Sequence, residues 1–250
     1  MNRLMILLLG AVLFFLTACE TTREISLNDD GSGTMVTTTD LSAMIAMAKM
    51  SAPSNELEKA NKPLDTTISL DKVVDSIAEL SPEERDLARK GSLQLSMNME
   101  EATMFTKVLF PFSKMGEISG LDQLSGKVMQ EAMKNQMKND SAAEMPMGEM
   151  PSASTDSYFT MTYKKGLIEK KLMAEKYADI DSDEGMVALK GMVSDEMPMS
   201  STLIFNLPKP ARKTSGKNLT ISEDKKKVTI VTSMHDFFED ASKLEFRIEY

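Results

Sequence analysis

Glu24-Ile25-Ser26-Leu27-Asn28-Asp29-Asp30-Gly31-Ser32-Gly33, continuing through Thr34 to Thr39, is the stretch that decides the fold. Its first four residues alternate polar and apolar, the period of a half-buried strand. Asn28 to Gly33 gathers residues that tolerate positive φ, a strong turn signal. Thr34 to Thr39 is β-branched and extended, so residues 22–40 are expected to form a β-hairpin.

Working outward toward higher numbers, Leu41, Met44, Ile45 and Ala48 recur at helical spacing, with Asp40 or Ser42 available as the cap. Residues 51–66 carry Pro53, Asn55, Asn61 and Pro63 and read as a loop or a frayed helix. Val73, Val74, Ile77 and Leu80 mark one face of the next helix. Ser81-Pro82-Glu83-Glu84 then supplies a cap, a proline at the first helical position and a capping-box glutamate. That helix is expected to stop at Gly91 in a left-handed conformation. Leu93, Leu95, Met97 and Met99 alternate as a strand, with Thr103 to Phe112 as its antiparallel partner. Leu121, Leu124, Val128, Ala132 and Met133 share a helical face up to about Lys138.

Residues 139–157 break the pattern with small, polar and proline residues and read as a flexible loop. Tyr158 to Tyr163 and Leu167 to Met173 flank Lys164-Lys165-Gly166 as another hairpin. Glu184 to Val193 reads as helical, and Ser201 to Leu207 as a strand ending at Pro208-Lys209-Pro210. Leu219 to Ile221, Val228 to Met234 and Leu244 to Tyr250 complete a β-rich finish, with a short acidic turn or helix near Asp236. Hairpins with helices between them imply an α+β fold, an antiparallel sheet built from hairpins with helices packed on one face. Residues 19–138 and 158–250 are read as two parts of one domain, its last strand completing the sheet that the first begins. A split into two domains at the 139–157 loop is the alternative.

Working outward toward lower numbers, Arg3 precedes an apolar run from Leu4 to Leu16, which ends in Thr17-Ala18-Cys19. A basic n-region, a short apolar h-region and small residues before the cut are the parts of an export signal, here residues 1–18. The run is too short for a membrane span, which needs about 20 apolar residues. Leu16-Thr17-Ala18-Cys19 resembles the bacterial lipobox. That resemblance implies that Cys19 receives a diacylglyceryl group, becomes the first residue after cleavage and is acylated on its amine. Several acyl chains, at about 0.8 kcal/mol per buried CH2, hold a protein durably on a bilayer. Inner-membrane retention in that family usually has Asp after the cysteine; Glu20 stands here, so the outer membrane is the better reading and either leaflet fits.

The order of lipobox cysteine, first strand, Asp30-Gly31-Ser32-Gly33 turn and second strand leading into a helix is similar to the LppM-type lipoprotein domain. This resemblance implies a lipid-anchored, non-enzymatic α/β layer held at the membrane of the bacterial envelope, and it carries no functional residue with it.

Composition sets outer bounds. The 250 residues are 42% hydrophobic, enough for a real core, and carry a net charge of −9. An acidic body argues against nucleic acid and against broad adhesion to anionic lipid. The single cysteine excludes an internal disulfide, so the core must suffice alone. The partners expected are the membrane, through the lipid, and an envelope protein or lipid.

His235 is the only histidine, and Asp236 beside it on a strand would point to the opposite face. Ser233 lies near, but no Gly-x-Ser-x-Gly elbow occurs, and no catalytic residue is assigned. Carboxylates fall in groups, Glu100-Glu101, Asp179-Asp181-Asp183 and Glu239-Asp240, but their spacing does not say whether any two face each other across a glycosidic bond. Asp179-Ile180-Asp181-Ser182-Asp183-Glu184-Gly185 has the look of a calcium loop. It places Glu184 and Lys190 where such a loop needs Gly and Glu, so a helix cap explains it better. The 23 methionines suggest a different chemistry. Met145, Met147, Met150, Met197 and Met199 have M-x-M and M-x-x-M spacings, and thioethers select Cu(I). Copper is the alternative to a protein with no cofactor. The Met44, Met47, Met50 and Met129, Met133, Met137 stripes are read as core-facing, with an adaptable contact surface as the other possibility.

Overall fold

The computed structural model describes residues 20–51, 63–77, 80–139, 154–193 and 199–250. β1 (Glu20–Leu27) and β2 (Gly33–Asp40) form the expected hairpin, paired from Glu20↔Asp40 to Leu27↔Gly33. Its turn closes through the Asn28 amide, which donates to the Ser32 carbonyl at 2.8 Å, while the Asp30 carboxylate accepts from the Ser32 amide and hydroxyl. Of the two possible caps, Asp40 meets the chain entering α1 (Ser42–Ser51), accepting from the Ser42 amide at 2.8 Å.

The loop expected over 51–66 is corrected at its far end. Leu64–Ser69 is a strand, β3, with the β-branched run Thr66-Thr67-Ile68 at its centre and Pro63 just ahead of it. α2 (Leu70–Ser76) and α3 (Pro82–Arg89) follow. The capping box is formed: the Ser81 hydroxyl accepts from the Glu84 amide at 3.2 Å, and the Ser81 amide donates to the Glu84 carboxylate at 2.8 Å. Gly91, by contrast, is not left-handed. A glycine is needed there because a Cβ would lie 2.5 Å from the Phe110 ring.

β4 (Ser92–Asn98) and β5 (Thr103–Phe112) pair as anticipated, and α4 (Ile118–Asn139) buries Leu121, Leu124 and Val128. The side chains of Ala132, Met133 and Met137, and most of the 139–157 loop reading, lie outside the described residues. β6 (Phe159–Lys164) and β7 (Leu167–Leu172) form the second hairpin. α5 (Ala174–Ala178), α6 (Glu184–Met192), β8 (Ser200–Asn206), β9 (Lys213–Gly216), β10 (Leu219–Ile221), β11 (Lys227–Ser233), α7 (Met234–Asp240) and β12 (Phe246–Glu249) follow.

Among the described residues the strands make two sheets, one in the order β10-β11-β8-β1-β2-β5-β4-β3 and one in the order β6-β7-β12-β9. Pairing is antiparallel throughout, with one exception. β1 runs parallel to β8, from Glu20↔Ser200 to Ser26↔Asn206. That corrects the purely antiparallel expectation, and the long intervening chain supplies the crossover that parallel pairing requires. The last strand is corrected too, because β12 lies between β7 and β9 rather than beside β1. β1 has no edge left to offer it, having β2 on one side and β8 on the other.

Directly paired residues share a face, so Phe205, Ile25, Met35 and Phe110 form one apolar row across four strands, and all are buried. Val73, Val74, Leu121 and Leu124 from the helices join the same cluster, as do Ile168, Phe246 and Ile248 from the second sheet. The Phe205 and Phe246 rings meet at 5.8 Å, tying one sheet to the other. No helix of the described residues is long and apolar enough to cross a membrane.

Candidate functional site

The two sheets meet at the Leu27 end of β1, where their turns leave an open cleft of about 540 Å³. The β1–β2 turn provides one wall, with Asn28, Asp29 and Gly31. Lys165 and Gly166, at the β6–β7 turn, provide another. The third is the strap Pro208-Lys209-Pro210, which carries the chain from β8 toward β9. Backbone bonds hold that strap at both ends: the Leu207 amide donates to the Lys226 carbonyl at 2.7 Å, and the Ala211 amide to the Lys225 carbonyl at 2.8 Å.

Two glycines make the turns possible. Gly31 and Gly166 have φ of +89° and +78°, where a side chain is strained, and a Cβ on Gly166 would come 3.2 Å from the Tyr250 carbonyl oxygen. The floor is apolar. Tyr250 and Met115 are nearly buried, and the Tyr250 hydroxyl donates to the Met115 sulfur at 3.5 Å. Burial pushes the Tyr250 phenol above its ordinary pKa, so it stays protonated and a donor. At the rim Arg212 donates through Nη2 to the Tyr250 carbonyl oxygen at 2.7 Å, and the Lys209 ammonium stands 3.7 Å from Asp29. The arrangement suits binding: cations at the rim over an apolar floor.

The residues singled out from the sequence lie elsewhere. His235 is exposed in the first turn of α7, which corrects its placement on a strand. The Ser233 hydroxyl caps that helix, accepting from the Asp236 amide at 3.0 Å and donating to the Asp236 carboxylate at 2.9 Å. Asp183 caps α6, accepting from the Gly185 and Met186 amides, while the Tyr158 hydroxyl donates to its other oxygen at 2.9 Å. Burial, then that bond to Asp183, pushes the Tyr158 phenol up to about 12. Among the described residues no three His, Cys, Asp or Glu side chains group as metal ligands.

Cys19, Met145, Met147, Met150 and Met197 lie outside the described residues. Met199 is half-buried against a second cluster, which contains Tyr158, Phe159 and Phe237. Met129 is half-buried, and its sulfur accepts from the buried Thr106 hydroxyl at 3.4 Å. The side chains of Met44, Met47 and Met50 are not among those described.

No family model matches the chain, and no curated protein sequence does. One solved structure is weakly similar. It is the NMR structure of the folded domain of LppM from Mycobacterium tuberculosis, at 11% identity and a TM-score of 0.36, over 93% of this chain and 90% of that one.

The cleft was not read from the sequence. Lys165 and Lys209 sit in segments that read only as a turn or a strand end, Lys164-Lys165-Gly166 and Pro208-Lys209-Pro210, and Arg212 belongs to no motif. No periodicity relates them to Asp29 or Tyr250, and only the meeting of the two sheets brings them together.

Proposed function

We propose that the chain is a lipid-anchored, extracytoplasmic binding protein of the bacterial envelope, held at the outer membrane through Cys19 and acting without catalysis. The observation that carries this reading is the lipobox Leu16-Thr17-Ala18-Cys19, standing directly ahead of Glu20, the first residue of β1. Binding is favoured over a purely structural envelope role by the cleft, whose walls come from three separate segments and whose cations lie at its rim. A soft-metal role has less support, since its described member, Met199, packs beside aromatic side chains.

The test is Cys19→Ser, followed by membrane fractionation and incorporation of an alkyne-labelled fatty acid. The wild type is expected to take up label and pellet with membranes. The variant is expected to lose the label and either leave the membrane or remain an uncut precursor. A normally processed, membrane-bound Cys19→Ser protein would overturn the anchor.

A further inference from the structure

We infer that the cleft binds a small organic anion, a phosphate or carboxylate group carried on an apolar body, and that it does so on the side of the molecule turned away from the anchor. This deepens the binding reading above and rests on it.

Charge is the first argument. The chain carries −9 overall, yet the cleft is lined by Lys165, Lys209 and Arg212, with Asp29 as its one acidic side chain and the main-chain oxygen of Tyr250 already held by Arg212. A cluster of cations on an acidic protein makes a local field that attracts anions, which the remaining surface repels.

The cations are also available. Lys209 and Asp29 are 67% and 73% exposed at 3.7 Å. So open a pair is worth about 0–1 kcal/mol and yields readily to a better partner. Arg212 uses one of its donors on the Tyr250 carbonyl oxygen, which fixes the guanidinium at the rim while its remaining N–H groups can take an anion's oxygens.

Shape supplies the rest of the ligand. Met115, Tyr250 and the two prolines offer apolar surface below the charges, and Gly31 and Gly166 keep side chains out of the opening. A volume of about 540 Å³ falls within the range of small-molecule sites, which run to about 300–1,000 Å³.

Direction follows from β1. Its eight residues rise from the position after Cys19 to the edge of the cleft, and at about 3.3 Å per residue they span about 25 Å. The cleft therefore stands at the end of β1 opposite the proposed anchor.

The test is calorimetric titration of the full chain in detergent with phenyl phosphate, phenylacetate and the neutral benzyl alcohol. Saturable binding of either anion, without binding of benzyl alcohol, is expected; which anion binds more tightly identifies the headgroup. Lys209→Glu reverses a charge at an exposed position without touching the core, and it is expected to weaken binding about tenfold or more. Arg212→Ala should weaken it further. Absence of saturable anion binding, equal binding of the alcohol, or indifference to Lys209→Glu would each overturn the inference. The anchor is read separately, because a Cys19→Ser protein that leaves the membrane and still binds phenyl phosphate supports the cleft. Loss of binding in the anchored wild type removes the cleft alone.

Discussion

Asp156 joins three parts of the molecule. One of its oxygens accepts from Lys170 on β7 at 2.6 Å and the other from Arg23 on β1 at 3.4 Å. Burial opposes its charge, but the two cations outweigh burial and hold the carboxyl at about 2. Since that lies below the ordinary value near 3.9, the ionised group stabilises the fold above about pH 4, and the contribution is lost as pH falls toward about 2. The side chain keeps 34% of its exposure. With screening allowed for, Asp156→Asn is expected to cost about 1–2 kcal/mol at pH 7 and distinctly less at pH 2. Urea unfolding at both pH values checks this, and an equal loss at both would contradict the assignment. Ser125 on α4 presents the opposite case. Its hydroxyl is buried with no hydrogen-bond partner among the described residues. Ser125→Ala is expected to gain about 1 kcal/mol, raising Tm by about 2–4 °C in a scanning experiment. Neither residue stood out in the sequence, because Asp156 finds Arg23 across 133 positions and a hydroxyl's burial has no local signature.

Among the elements, α3 was the most legible, since every contact that starts it lies within four residues. The Ser81 amide holds the Glu84 carboxyl below the usual carboxylate range, and Lys127 of α4 adds to this from 3.3 Å. Ser81→Ala is expected to cost about 1 kcal/mol, and Ser81→Asp to restore most of it, measured as thermal melting by circular dichroism. α3 also finishes its neighbour: Arg85 donates to the Val74 and Ile77 carbonyls at 3.0 and 2.8 Å, at the end of α2. The hairpins were legible for the same reason of locality. β3 was not, because proline and asparagine in the preceding stretch outweighed a short β-branched run. At Gly91 the residue was recognised for the wrong reason. Its role is to admit the Phe110 ring, and nothing in the local sequence names that neighbour.

For the whole molecule, Phe205 is the residue on which most converges. It opposes Ile25 across the parallel ladder and touches Phe246 in the other sheet. Phe205→Ala is expected to cost about 3–5 kcal/mol. Because strands numbered before 139 and after 157 share one sheet, the wild type is expected to unfold in a single calorimetric transition. Two separated transitions would favour the two-domain alternative. The α+β class could be read from hairpins and helices, but which strands share a sheet depends on pairings far apart in the chain, and so does the cleft. The parallel ladder between β1 and β8 has one more consequence, and it concerns time. A chain that emerges from its N-terminal end delivers β1 and β2 together but withholds β8 until residue 206 is out. If the chain emerges at the pace of its synthesis, about 5–20 residues per second, that interval is on the order of ten seconds. Throughout it, β1 has one bare edge open to any neighbouring chain. A partner that shields this edge during biogenesis would have a task that ends when β8 arrives.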